Sequence, residues 1–168
     1  TLGNTLEAEG KNDEALSHYN EAIRLDPSSA VAHVNVGNIF LKRNDHAQAI
    51  AEFQLALKLD PENLYAHYNL GQCYLAAGRL SEALVHFTEA QRQSPNNATL
   101  CFLIGKVHER LGQRIEAGRF YKEALRIRPD LSEARASLAA LEQKASGNLK
   151  PERRPPESPQ PNPNRRWP

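Results

Sequence analysis

Proline returns every 34 residues along this chain, at Pro27, Pro61, Pro95 and Pro129. Glycine keeps the same interval at Gly3, Gly37, Gly71 and Gly105, and alanine does so twice, at Ala15, Ala49, Ala83 and Ala117 and at Ala22, Ala56, Ala90 and Ala124. An aromatic column runs Tyr19, Phe53, Phe87 and Tyr121. Five columns in register over four copies exclude coincidence, and a fixed period of this length means a stack of like units. A unit this short cannot bury its apolar face alone, so it buries it against its neighbours.

Between prolines the apolar residues recur at helical spacing, as in Leu70 and Tyr74 and then Leu80, Ala83, Leu84 and Phe87. That pattern predicts one amphipathic helix, a break, and another. Gly10, Gly78 and Gly112 stand at the breaks, where a left-handed residue ends the first helix at no Cβ cost. Ser81 with Glu82, and Asn12 or Asp13, are the expected N-caps of second helices. Small residues such as Gly71 and Ala83 permit close helix approach, with Tyr74 and Phe87 filling the remaining space. The proline after each second helix stops it. Helices are expected at 1–9, 13–25, 29–43, 46–59, 63–77, 80–93, 97–111, 114–127 and 131–145. The last has polar neighbours and no successor, as a terminal cap should.

These columns resemble the tetratricopeptide repeat family over roughly residues 1–131, most closely in the third copy, LYAHYNLGQCYLAAGRLSEALVHFTEAQRQSPNN. The resemblance implies an all-α, right-handed α-α superhelix of about four helical hairpins with a C-terminal capping helix. The domain then spans 1–146, with repeats at 1–29, 30–63, 64–97 and 98–131, a cap at 131–145 and a tail at 147–168. Two departures stand out. Gly118 occupies the slot of Leu16, Ile50 and Leu84, and Gln91 and Gln93 replace aliphatic residues such as Leu57 and Leu59. The junction of repeats three and four is therefore expected to be the weakest part of the stack.

The resemblance also implies that first helices line a concave groove. Asn4, Asn38, Gln72 and Lys106 form one ladder along it, and Asn35 with Asn69 begins another. Carboxamides donate and accept, so such a row can hold the backbone of an extended peptide. Tyr65, Tyr68 and Phe102 offer apolar pockets, with Val31, Val34, Leu41, Leu75, Glu109 and Arg110 beside them. Chaperone-binding members of the family clamp a carboxylate terminus with asparagines and cations. Asn38 and Asn69 match the asparagine slots, but Thr99 and Leu103 stand in the basic ones. One repeat back, Asn4 and Asn35 match, and Tyr65 and Asn69 occupy the basic slots. Without those cations an acidic terminus is not compensated for its desolvation. Asn35 and Asn69 also resemble the asparagine-lined arm of O-linked N-acetylglucosamine transferase, from which Thr1 and Leu103 depart. The segment FLIGKVHERLGQ is similar to repeats in scaffold subunits of the anaphase-promoting complex.

Other chemistry finds little support. The net charge of +1 gives no field for nucleic acid or an anionic membrane, and no apolar run is long enough to span a bilayer. Cys73 and Cys101 read as small buried residues. His33 with His67, and His18 with His86, follow the repeat, so packing explains them better than a metal; His46 and His108 stand alone. No phosphate loop or nucleophile elbow appears, so neither catalysis nor a cofactor is expected. Charges of alternating sign on second helices, such as Glu82, Glu89, Arg92, Glu116, Arg119, Lys122 and Glu123, read as a solvated outer face. The absence of methionine and the helical start suggest a piece of a longer chain, and the lack of a spanning run or of a signal-peptide pattern over Thr1 to Gly10 leads us to expect a soluble, cytoplasmic one.

From Gly147 onward seven prolines and few apolar residues predict a disordered, polyproline-biased tail. Arg153, Pro156 and Pro159 match an SH3-ligand spacing, and Ser158 precedes a proline, but a plain linker is the simpler reading. The expected function is a scaffold or adaptor that holds an extended segment of a protein or peptide partner. The rivals are a substrate-selecting arm of an enzyme whose catalytic domain lies elsewhere, and a spacer that self-associates through its repeat ends.

Overall fold

A computed structural model describes residues 2–147, with side chains described as far as Lys144; Thr1 and the tail expectations for 148–168 lie outside the described residues. Among them the chain forms only α-helices: α1 (Leu2–Ala8), α2 (Asn12–Leu25), α3 (Ala30–Lys42), α4 (His46–Leu59), α5 (Leu64–Ala76), α6 (Leu80–Gln93), α7 (Ala98–Arg110), α8 (Arg114–Ile127) and α9 (Ser132–Gly147). From α1 to α7 each odd-numbered helix packs most extensively on the helix that follows it, and each even-numbered helix packs less extensively on the next odd one. The result is four hairpins stacked in chain order and closed by α9.

The breaks form as the glycines require. Gly10, Gly78 and Gly112 have φ of +78°, +76° and +76°, and Asn44 takes the same role in the second hairpin at +59°. The residue after each left-handed position bonds back to the fifth residue before it. Lys11 N–H donates to the Leu6 carbonyl at 2.9 Å, and Arg79 N–H to Tyr74 at 2.8 Å.

The capping expectation needs correction. Asn12, Asp13 and Ser81 lie inside their helices, and α2, α6 and α8 begin without a side-chain cap bond. Of the second helices α4 alone is capped among the described residues, by Asp45, which accepts from the Gln48 N–H at 3.1 Å, and the first helices carry a cap column of their own. Ser29, Asn63 and Asn97 accept from the backbone N–H groups of Ala32, Ala66 and Leu100. Those helices must restart straight after the proline turn, where their first N–H groups have no carbonyl of a preceding helical turn to bond. The second helices follow a turn that has already fixed the chain direction.

The glycine and aromatic columns meet inside each hairpin. A Cβ built on Gly3, Gly37, Gly71 or Gly105 would lie 2.5 to 2.6 Å from the ring of Tyr19, Phe53, Phe87 or Tyr121 respectively. The ring of the second helix rests on the bare backbone of the first, and Phe53, Phe87 and Tyr121 are wholly buried there. Ala49, Ala83 and Ala117, also wholly buried, keep the axes close on the other side. Burying one such ring stabilises the hairpin by about 3 to 5 kcal/mol relative to truncation.

Candidate partner-binding face

The residues expected on the groove all lie on first helices, and most of them already have protein partners. Asn69 Nδ2 donates to Asn38 Oδ1 at 2.7 Å, so the two asparagine ladders meet in one bond across the boundary of α3 and α5. Asn4 Oδ1 lies 2.8 Å from the Tyr19 hydroxyl. Lys106 Nζ sits 5.8 Å from the centre of the Phe102 ring. Arg110 donates to the Leu75 carbonyl and so closes the C-terminal end of α5. Asn35 and Gln72 are half-buried. The two ladders read from the sequence are thus sets of unlike positions, joined at Asn38 and Asn69.

The aromatic residues divide in the same way. Tyr68 packs edge-on to Phe87 at 6.4 Å between ring centres, and Phe102 lies 5.8 Å from Tyr121, so both are partly core. Val34, in the same column, is fully part of the core. Tyr65 is 67% exposed and Val31, one repeat earlier, is 63% exposed. Tyr65, Tyr68, Asn69 and Gln72 are spaced by three and four residues on α5 and therefore share one face.

Two pairings escaped the sequence reading. Tyr19 and Tyr121 point their hydroxyls at Glu7 and Glu109, at 2.9 and 2.6 Å. Where the ring is Phe53 or Phe87, the residue twelve positions earlier is Leu41 or Leu75. A hydroxyl is present only where a carboxylate waits for it, and comparing columns twelve apart would have exposed the rule. Burial and the neighbouring carboxylate push the Tyr19 phenol up to about 12, and Tyr121 rises for the same reasons.

The second pairing joins histidines. His67 is buried, its Nε2 lies 3.0 Å from the Pro61 carbonyl, and its Nδ1 lies 2.9 Å from His86 Nδ1. The carbonyl can only accept, so His67 carries its proton on Nε2 and His86 donates to the free Nδ1. One repeat earlier the same two slots hold His33 and Glu52, 2.8 Å apart. Tyr74 stacks on His86 with ring centres 5.4 Å apart, and Arg79 covers Tyr74. Burial holds the His86 pKa below its ordinary value, with His67 as the second cause and Glu82 opposing. Among the described residues no group of three metal-ligating side chains comes together, and burial raises both cysteine thiols.

Tetratricopeptide repeat signatures match residues 1–63, 37–98 and 75–141, which together cover the stack. The chain belongs to the tetratricopeptide repeat family. Its fold also overlays the crystal structure of MamA with a TM-score of 0.80 at 19% identity, over 87% of this chain and 85% of that one. A MamA segment, residue 41 to the end, from Desulfovibrio magneticus RS-1 gives 0.80 at 19% identity over 86% and 82%. At that identity the likeness establishes the all-helical, right-handed solenoid and nothing more. Comparison with curated protein sequences gave no match. Tetratricopeptide repeats in general are interaction scaffolds for protein partners and are typically not catalytic, and that coarse role applies to this repeat chain. No helix among the described residues is long and apolar enough to cross a membrane.

Proposed function

We propose that this tetratricopeptide repeat chain holds an extended segment of a partner protein across the first-helix face of α3, α5 and α7. The observation that carries the reading is the Asn38–Asn69 bond beside an aromatic ring left 67% exposed at Tyr65. The bond uses one acceptor of Asn38 and one donor of Asn69. It leaves the Asn38 amide to donate and the Asn69 carbonyl to accept, which is what an extended backbone requires of its host. Because each carboxamide holds the other, little side-chain entropy remains to be lost on binding. Tyr65 supplies a rigid amphipathic anchor, of the kind that dominates interface energies.

The test is a peptide array probed with the native chain, with Asn38→Ala/Asn69→Ala and with Tyr65→Ala. The expected outcome is a loss of roughly tenfold or more in capture by either variant, corresponding to about 1.4 kcal/mol or more. Equal capture of the same peptides by all three proteins defeats the groove reading and leaves the fold intact.

A further inference from the structure

We infer that the hollow between α8 and α9 is a second docking site, for an acidic peptide segment of a partner protein that carries a bulky apolar anchor. The hollow starts from one missing side chain. In the first three hairpins Leu16, Ile50 and Leu84 pack from the second helix onto the core beside it. Gly118 takes that place in α8, and the nearest heavy atom to a Cβ built there is Leu138 Cδ1, 4.0 Å away. The groove that remains encloses about 940 Å³. Gly118, Phe120, Leu138 and Leu141 line it, and Ile115 stands at its lip, 84% exposed. An aliphatic or aromatic side chain entering here would do what the leucine does elsewhere.

The charge around the groove decides what surrounds that anchor. Arg114, Arg119, Lys122 and Arg126 face it, against Glu123 and Glu142. Glu123 is engaged by Arg126 at 2.8 Å, while Arg114 and Lys122 have no ion-pair partner among the described residues. The rim therefore carries positive charge in excess, and a carboxylate beside the anchor is the complementary neighbour. The chain's own 148–168 segment has the wrong sign, with five basic and two acidic side chains. Prolines stand at Pro151 and Pro155, where the period would next place the alanine and aromatic of a second helix, so the column pattern is broken there in the sequence.

The experiment is fluorescence anisotropy with the full chain and a short labelled peptide whose leucine-leucine-tryptophan centre is flanked by glutamates. Saturable binding is expected. It should weaken by roughly tenfold or more when lysines replace the glutamates, when serines replace the centre, and in the protein variants Gly118→Leu and Arg119→Glu/Lys122→Glu. Asn38→Ala/Asn69→Ala should bind as the native chain does, which separates this site from the first-helix face. Binding that survives both groove variants, or that follows Asn38 and Asn69, overturns the inference. Competition by a peptide of residues 148–168 would assign the groove to the tail, and a concentration-dependent mass abolished by Gly118→Leu would assign it to a second copy. Either result also overturns it.

Discussion

The missing Cβ of Gly71 is where the repeat is most exposed to a single substitution. A methyl group there would meet the Phe87 ring at 2.6 Å, and both elements are held by neighbours on either side. Gly71→Ala gains helix propensity of about 1 kcal/mol, yet forcing the ring away costs about 1 to 3 kcal/mol, and with Phe87 wholly buried the clash should win. The variant should unfold at lower urea, and Phe87→Leu in the same chain should recover part of the loss, a coupling that a double-mutant cycle reads directly. His86 makes a second prediction at this scale. Its folded-state pKa lies below the ordinary value, so the folded chain binds fewer protons than the unfolded one as the pH falls past about 6.5. Stability is present above that pH and is lost below it, through the depressed pKa of His86. Protonation of His86 falls on Nε2, since its Nδ1 already donates to His67 at 2.9 Å. The groups around the pair, Glu82, Glu89 and Arg79, are already engaged in ion pairs with arginine or glutamate. The urea midpoint should therefore drop between about pH 7.5 and about pH 5.5. His86→Glu, which copies Glu52 beside His33, should show a shallower drop. An identical drop in both chains would show that the pair has no part in it.

At the scale of elements, the helices were legible because period and amphipathicity agree at every copy. All nine described helices begin and end within two residues of the expected bounds. Their caps were not legible, because a serine or asparagine close to a helix start does not reveal which helix it serves. Only the turn geometry shows that Ser29, Asn63 and Asn97 cap the first helices while Ser81 rides inside α6. The weak junction read from Gln91 and Gln93 has a physical basis. Gln91 reaches the thiol of Cys101 at 3.3 Å, a weak acceptor, and the buried Gln93 amide nitrogen has only the Glu89 carboxylate near it, outside good hydrogen-bond geometry. Hydrogen exchange should be faster across α6, α7 and the start of α8 than across α4 and α5. Gln91→Leu/Gln93→Leu should slow it and stabilise the chain by about 1 to 3 kcal/mol, the cost removed with the buried polar group. Uniform protection from α3 to α8 would contradict this. Gly118→Ala should add about 1 kcal/mol through helix propensity alone, since nothing obstructs a Cβ there. A midpoint in urea that does not rise would count against that reading.

At the scale of the molecule, the stack distributes its strength through local contacts, since helices pack only with their sequence neighbours in any extent. A solenoid of this kind can offer a long face to a guest chain without distorting a central core. That the expected residues share the first helices was legible from the repeat, but which of them engage one another was not. Which carboxamides are engaged depends on side chains thirty-one residues apart, as in Asn38 and Asn69, and no periodic column records such a bond. The groove at α8 and α9 was half legible. Gly118 was visible as a lost packing residue, but its basic rim emerges only when α8 and α9 lie side by side. The most direct test of the central claim is hydrogen exchange of the native chain with and without a peptide selected on the array. Protection gained on α3, α5 and α7 around Asn38, Tyr65 and Asn69 is the predicted result. Protection confined to α2, α4 and α6, with those first helices unchanged, would contradict the account.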